Sequence, residues 1–343
     1  MNKEAKIFRD LPLDSRVKTL VCYSAVYGDI TSTDSIALRM RDHAPEEIER
    51  VLETLFEEGR IVLRGGYVSL PCLEDIIPRK NSNQIKSEAI IGKRSRAIKL
   101  LGKLPVIKHI GVSGSLAAGN GTPDRNDIID VDLFVITKRH CFWLFYIPLA
   151  IYKNIWKKKR GYSLCINYII DETDLTIYNA NIYTAHELFF LLPVKGKKGY
   201  SRFVEHNLWI NNFFPGFAET TSPSRQRDAS VGTINKIFYL AYNLVRSVKH
   251  FSIKPLSDSS LRLDPYRSIN PNRATSHYGG YQTLVMKKFC NIAEKHFPEI
   301  LTQDIITAMF PDELSRAILS GEIDAREQLM EEGFGVPDIK KYG

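Results

Sequence analysis

Hydrophobic and polar positions follow two different periods along the chain, and together these periods predict mixed α and β structure. Apolar residues at helical spacing indicate helices, whereas short apolar runs bounded by glycine, proline or polar residues indicate strands. The predicted helices cover 15–27, a short segment from Thr33, 44–60, 85–101, most of 141–156, and then 185–192, 202–213, 234–250 and 281–296. The predicted strands cover 60–64, 67–70, 106–112, the segment around 128–135, and 163–171.

The order of these elements divides the chain into three parts. Residues 1–80 hold three helices and then two strands around a Gly-Gly pair at 65–66, a frequent two-residue hairpin turn, and this order resembles a winged helix-turn-helix. Residues 81–183 alternate between helix and strand and predict an α/β (α+β) core with a mixed sheet. Residues 184–343 are expected to be mainly helical, and 71–84 is interpreted as a linker.

A winged helix suggests DNA binding, but the charge of its third helix argues against that function. Residues 44–60 contain six glutamates and two arginines. A recognition helix has to approach DNA phosphates, and these carboxylates would be repelled by them. We therefore expect the N-terminal unit to serve packing or protein contacts, and we do not expect it to read DNA.

The composition is that of a soluble globular protein with more than one domain. The 343 residues are 44% hydrophobic and 25% charged, and the five cysteines are scattered without a CxxC pair. The longest apolar run, 141–156, is interrupted by Pro148 and Lys153 and is too short to span a membrane. A buried helix fits this run better than a membrane-surface helix. Since the N-terminus also lacks a signal-peptide pattern, we expect a cytoplasmic protein.

Positive charge is concentrated in two stretches. Residues 77–108 contain nine Lys or Arg and a single acid, Glu88, and residues 138–165 contain seven Lys or Arg and no acid. Such a field attracts a polyanion, which could be a nucleoside triphosphate, a nucleic acid or an anionic lipid surface. The pattern supports an anion-binding site between the two stretches without identifying its ligand.

The segment between the two basic stretches carries the clearest chemistry. The strand 106–112 leads into Ser113-Gly114-Ser115, a glycine-rich segment follows, and the next apolar strand carries Asp130 and Asp132. Residues two apart in a strand point to the same face, so we expect the two carboxylates to project together. Carboxylates bind Mg²⁺, and backbone N–H groups of a glycine-rich turn bind phosphates.

A Gly-Ser pair at a strand end, followed by Asp-x-Asp on the next strand, resembles the DNA polymerase β-like nucleotidyltransferase superfamily. The resemblance covers about residues 85–175. It implies that Ser115 and the backbone around Gly114 hold the triphosphate, and that Asp130 and Asp132 bind Mg²⁺. It also implies in-line attack of an acceptor hydroxyl on the α-phosphorus of a nucleoside triphosphate, with ATP as the first candidate.

Two departures from the superfamily pattern stand out. Fourteen residues separate Ser115 from Asp130, which is slightly long. The superfamily also carries a third carboxylate on a later strand, where this chain presents Asn167; Asp171 is expected on the same face but about 13 Å further on. Asn167 is therefore a candidate catalytic residue with one neutral oxygen, or a hydrogen-bonded core residue. His186 is explained by helix capping or packing as well as by catalysis.

The sequence thus predicts a Mg²⁺-dependent nucleotidyltransferase that moves a nucleoside monophosphate to a hydroxyl of a small molecule, a protein or RNA. Two other functions remain open. One is a nucleotide-binding regulatory protein that has lost catalysis together with its third acid. The other is a nucleic-acid-binding module that uses the two basic stretches.

Overall fold

The computed structural model describes most of the chain between Ile7 and Pro311. The described residues are 7–121, 129–148, 162–177, 180–217, 233, 235–241, 269–270, 273–275 and 279–311. Within these ranges, the side chains of 129–130, 162–166, 269–270, 274–275 and 279–284 are not described. The described part is a mixed α/β structure, as predicted.

The N-terminal part contains three helices and a small antiparallel sheet. Its elements are α1 (Leu13–Val26), β1 (Thr31–Ser32), α2 (Thr33–Arg39), α3 (Pro45–Glu57), β2 (Val62–Arg64) and β3 (Tyr67–Ser69). The strand order is β1-β3-β2. Gly65 and Gly66 both have positive φ, +59° and +77°, the backbone conformation that a type I′ hairpin turn requires. The predicted hairpin is therefore confirmed.

The expected linker at 71–84 is wrong. Residues Pro71–Ile76 form a short 3-10 helix, and α4 begins directly after it and runs over Ile77–Leu101. Pro71 and Pro78 lie at the first positions of these helices, where the missing N–H is not needed, so the prolines start structure here instead of breaking it. The buried Lys80 of α4 also contacts both carboxylate oxygens of Asp29, at 2.8 and 2.6 Å, which ties α4 to the N-terminal part.

A six-stranded mixed sheet forms the centre of the molecule. Its strands are β4 (Ile107–Ser113), β5 (Ile129–Thr137), β6 (Tyr162–Asp171), β7 (Leu192–Lys195), β8 (Ile269–Asn270) and β9 (Arg273–Thr275). The strand order is β7-β4-β5-β6-β9-β8; β5 and β6 are parallel, and the other neighbours are antiparallel. Three of these strands come from the region predicted to be mainly helical. They are only two to four residues long, too short for an alternating pattern to indicate them.

The remaining helices cover both faces of the sheet. They are α5 (Gly114–Ala117), α6 (142–148), α7 (Ile182–Phe189), α8 (Lys197–Glu205), α9 (235–241), α10 (Gly279–His296) and α11 (Gln303–Met309). The rest of the predicted helices at 141–156 and 234–250 lies outside the described residues. In the described part of the chain, no helix has the length and hydropathy needed to cross a membrane.

Alternate residues of β5 enter two different hydrophobic cores. Val131, Leu133 and Val135 pack in the smaller core, together with residues of α4 and α6. Phe134 and Ile136 pack in the larger core, which includes residues of the N-terminal part, α7, α8 and α10. Because side chains alternate along a strand, Asp132 lies on the sheet face that is turned toward the larger core.

Candidate active site

The Gly-Ser turn lies directly against Asp132. Ser113, the last residue of β4, is paired in register with Asp132 of β5. Gly114 follows with φ +70°, and a Cβ atom added there would overlap the Asp132 carboxylate, with its Cγ only 3.2 Å away. Position 114 therefore requires glycine on two grounds: the left-handed backbone conformation and the close approach of a carboxylate.

The start of the glycine-rich segment is fixed by hydrogen bonds to α5 and α4. The Asn120 N–H donates to the carbonyl oxygen of Ser115 at 2.8 Å. The Gly121 N–H donates to the hydroxyl of Ser87, a fully buried residue of α4, at 2.9 Å. Ser115 itself is exposed, so its side chain is accessible to a ligand.

Asp130 belongs to β5, two residues before Asp132 and opposite Ser163 of β6. Its side chain lies outside the described part of the structure. The prediction that the two carboxylates project together therefore stays a prediction.

Asn167 occupies a bulge in β6 beside the same site. In the parallel pairing of β5 with β6, Leu133 is opposite Ile166 and the next residue, Phe134, is opposite Tyr168. Asn167 is therefore an extra residue on β6 without a partner position on β5. Asn167 is 4% exposed, and its side-chain amide donates to the Ser113 hydroxyl at 3.3 Å, across the intervening strand β5. Asn167 therefore lies on the sheet face that carries Ser113 and Asp132; alternation from Ile166 already places it there, and the bulge shifts only the residues after it.

The same bulge removes Asp171 from the site. Beyond it, Ile169 and Asp171 are opposite Val135 and Thr137, so they lie on the face of the smaller core. The Asp171 carboxylate accepts hydrogen bonds from Thr173 and, at 3.4 Å, from Asn235. The expectation that Asp171 shares a face with Asn167 is wrong, because the extra residue reverses the alternation.

A carboxylate that the sequence analysis did not single out, Glu187, lies near Asp132. Glu187 is in α7, whose N-terminus is capped by the Asn181 side chain accepting from the Thr184 N–H at 3.1 Å. Burial, together with the negative charge of Asp132, raises the pKa of Glu187 to about 8. A signal for Glu187 was present in the sequence: it is an acid in a mostly apolar helix. Acids are rarely buried unless they have a partner or a function, so such a residue is a candidate for the site.

His186, the neighbour of Glu187, packs against the N-terminal part. The centroid of its ring lies 4.9 Å from the ring centroid of Tyr23, 6.2 Å from that of Tyr27 and 4.8 Å from that of Phe190. Burial and the positive charge of Arg39 lower the pKa of His186 well below its ordinary value. A neutral, aromatic-packed His186 fixes α7 against α1, and this packing sets the position of Glu187.

The donor set fits a hard divalent cation. Asp132 would supply carboxylate oxygens, the Glu187 carboxylate lies near it, and the Asn167 amide and Ser113 hydroxyl have neutral oxygens on the same face. A cation at Asp132 would relieve the mutual repulsion of the two carboxylates. Among the described side chains, no group of three His, Cys, Asp or Glu residues comes close enough to hold a metal; Asp130 is outside that set.

Comparison of the chain with models of protein families, with curated proteins and with solved structures finds no match.

Proposed function

We propose that the protein is a Mg²⁺-dependent nucleotidyltransferase that transfers a nucleoside monophosphate from an NTP to a hydroxyl acceptor. The observation that carries this proposal is the contact between the Gly-Ser turn and the Asp132 carboxylate. This contact places a glycine turn of the kind that binds phosphates next to a carboxylate of the kind that binds Mg²⁺.

Each site residue has a defined role in the proposal. Asp130 and Asp132 hold Mg²⁺, and Ser115 with the backbone around Gly114 binds the triphosphate. When bound, the cation offsets negative charge on the phosphates and on the leaving pyrophosphate. Asn167 contributes a neutral oxygen and keeps Ser113 at the edge of the site through its hydrogen bond.

Glu187 supplies the acid that Asn167 does not. In the proposed reaction the acceptor oxygen forms a bond to the α-phosphorus, the bond to the β-phosphate oxygen breaks, and pyrophosphate leaves. The hydroxyl proton passes to the Glu187 carboxylate. Burial, which remains when a cation offsets the charge of Asp132, raises the pKa of this carboxylate and makes it a stronger base than an exposed glutamate.

In this proposal the N-terminal part is a winged-helix-like unit used for packing. Its helix α1 packs against α10, and Arg60 donates to the backbone oxygen of His296 at 3.0 Å. The glutamates of α3 remain at the surface, apart from any contact with the site. A unit held in this way supports α7 and does not read DNA.

One observation favours a second candidate, a nucleotide-binding regulatory protein without turnover. Asn167 replaces the expected third acid, and its amide is already bonded to Ser113. This candidate predicts Mg²⁺-dependent NTP binding without pyrophosphate release, and it predicts that Asn167→Asp increases any residual release. The transferase predicts release in the unchanged protein.

The test begins with thermal shifts of the protein with each of the four NTPs, with and without Mg²⁺, since a ligand of the folded state raises the melting temperature. Pyrophosphate release is then measured with the NTP that binds. Asp130→Ala combined with Asp132→Ala should remove both signals, whereas Asp10→Asn, which changes an exposed carboxylate, should change neither. NTP consumption that survives the double substitution would refute the site.

A further inference from the structure

The longest helix of the described part, α4, has a strongly basic outer face. Five of its basic side chains are exposed, and these are Arg79, Lys86, Lys93, Arg96 and Lys99. The buried positions of the helix are Ile77, Lys80, Ser87 and Ile98. At 3.6 residues per turn, the mean direction of the exposed basic residues and that of the buried residues differ by about 160° around the helix axis. The basic residues therefore form one continuous face that is turned away from the protein.

Among the described residues, little negative charge offsets this face. The single acid in the helix, Glu88, accepts a hydrogen bond from Gln84 at 3.2 Å. Arg79 approaches Asp75 at 3.7 Å, but both side chains are more than 70% exposed, so that pair is weak. From Arg79 to Lys99 the face extends over about 30 Å, the length of about nine base pairs of a duplex.

The apolar residues of the same face do not fit a membrane surface. Ile85 and Leu100 are 66% and 67% exposed, but they are separated by about 22 Å along the helix. No aromatic residue occurs in α4. A helix bound to a membrane surface needs a continuous apolar stripe, whereas this face has lysines and arginines where such a stripe would lie. Regularly spaced cations fit a chain of phosphates instead.

The helix also adjoins the candidate active site. Ser87, on its buried side, accepts the hydrogen bond from Gly121, and a side chain at Gly119 would touch Gln84. These contacts lie on the side of α4 opposite to the basic face, so a polyanion on the outer face is separated from the glycine-rich segment by one helix diameter, about 10 Å.

We propose that the outer face of α4 binds the phosphodiester backbone of a nucleic acid, and that this nucleic acid carries the acceptor hydroxyl. The second clause rests on the proposed nucleotidyltransfer, whereas the first does not. A strand bound along α4 reaches the Gly-Ser turn when its free end passes around the helix, over about one helix diameter, and the basic face then determines the class of acceptor.

The binding clause is tested by fluorescence anisotropy with a labelled 20-nucleotide RNA and its DNA counterpart over a series of salt concentrations. We expect K86Q/K93Q/K99Q to weaken binding of the oligonucleotide about tenfold or more at low salt, and to reduce the salt slope by about 2 to 3. The matched control is K197Q/K198Q/K236Q, which removes three exposed lysines from α8 and α9. An equal loss in both triple variants, or no binding at low salt, would overturn the proposal, because net charge alone would then explain the result.

Vesicles of phosphatidylcholine with one third phosphatidylserine provide the competing partner. Binding to vesicles that is lost in K86Q/K93Q/K99Q, without binding to either oligonucleotide, would replace the nucleic acid by a lipid surface. The acceptor clause is tested separately, by incorporation of label from an α-labelled NTP into the oligonucleotide. Oligonucleotide binding and pyrophosphate release without incorporation would overturn the acceptor clause alone, whereas loss of Mg²⁺-dependent NTP binding would overturn the proposed function.

Discussion

Glu187 is buried and Glu299 is partly exposed, and their pKa values move in opposite directions. Burial and the charge of Asp132 raise the pKa of Glu187 to about 8. Burial acts to raise the pKa of Glu299 as well, but hydrogen bonds from its own backbone N–H, from Lys18 and from Arg60 outweigh it and lower that pKa to about 2. The difference lies in the neighbours, a second carboxylate for one and two cations for the other.

This difference separates the proposed chemical site from a structural tie. Glu299 receives Lys18 at 3.0 Å and Arg60 at 2.6 Å, so the protein itself neutralises it and joins the N-terminal part to the segment after α10. Glu187 and Asp132 have like charges in one place, an arrangement that favours an added proton or an added cation. A carboxylate pair of this kind costs stability unless a ligand uses it, which is why we assign the chemistry to Glu187 and not to Glu299.

The largest expected effect comes from Asp132→Asn, which breaks the like-charge pair. We expect Mg²⁺-dependent NTP binding to disappear and pyrophosphate release to fall by about a factor of 10² to 10³ or more, because a charged metal ligand becomes neutral. The pKa of Glu187 should also fall from about 8 while staying above its ordinary value, because burial remains when the charge of Asp132 is gone. NMR titration of the glutamate carboxyl groups measures this shift, and an unchanged Glu187 pKa would contradict the pairing.

A second large effect is expected from Gly114→Ala. The added methyl group would overlap the Asp132 carboxylate, and alanine also disfavours the left-handed backbone conformation at this position. We therefore expect the free energy of unfolding to fall by about 1–3 kcal/mol and NTP binding to be lost. Gly92→Ala is the matched control, since Gly92 is exposed within α4 and a Cβ there meets no atom within 4 Å. That variant should gain about 0.5–1 kcal/mol from helix propensity, and both values follow from urea denaturation.

A third effect concerns how NTP binding and protein stability depend on pH. Glu187→Gln should abolish the part of both dependences that comes from this carboxylate. A cation bound at Asp132 is attracted by the ionised Glu187 carboxylate nearby, so Mg²⁺-dependent thermal stabilisation by the NTP should increase as the pH rises toward about 8 and level off above it. Without ligand the sign is reversed: a raised folded-state pKa means that stability falls as pH rises from the ordinary glutamate pKa toward about 8. Both dependences should flatten in Glu187→Gln, and a profile identical to that of the unchanged protein would remove Glu187 from the site.

The parts of the fold with long periodic patterns were predictable. The hairpin at Gly65-Gly66, the helix α3 and the strands β4, β5 and β6 come close to their expected bounds, since apolar periodicity and glycine turns determine them locally. The prolines at 71 and 78 misled the prediction because proline either breaks or begins a helix, and the flanking sequence did not distinguish the two.

The site was predictable only within one strand–turn–strand unit. Gly114 and Asp132 are close in sequence and joined by the pairing of β4 with β5, so local pattern was sufficient for them. Glu187 comes from a helix 55 residues after Asp132, and its approach depends on the packing of His186 against Tyr23. The bulge at Asn167 depends on the register between two strands, which no single-strand pattern records.

The smallest expected effect belongs to the other member of the comparison, Glu299. Its carboxylate is partly exposed, so Glu299→Gln should lower the free energy of unfolding by only about 0.5–1 kcal/mol at neutral pH and leave NTP binding unchanged. A lowered folded-state pKa stabilises the fold above the ordinary glutamate pKa, and this contribution is lost as pH falls toward about 2. The difference in stability between variant and parent should therefore shrink over that acidic range.

Glu58→Gln is the control, because Glu58 lies 3.8 Å from the same arginine, Arg60, is exposed to a similar degree and has no described contact with Lys18. Urea denaturation at several pH values should show a smaller, nearly pH-independent change for that variant. A Glu299→Gln variant that loses NTP binding while remaining folded would contradict the separation of the two glutamates. The tie between the N-terminal part and the segment after α10 would then have to act on α7 and the carboxylate that α7 carries.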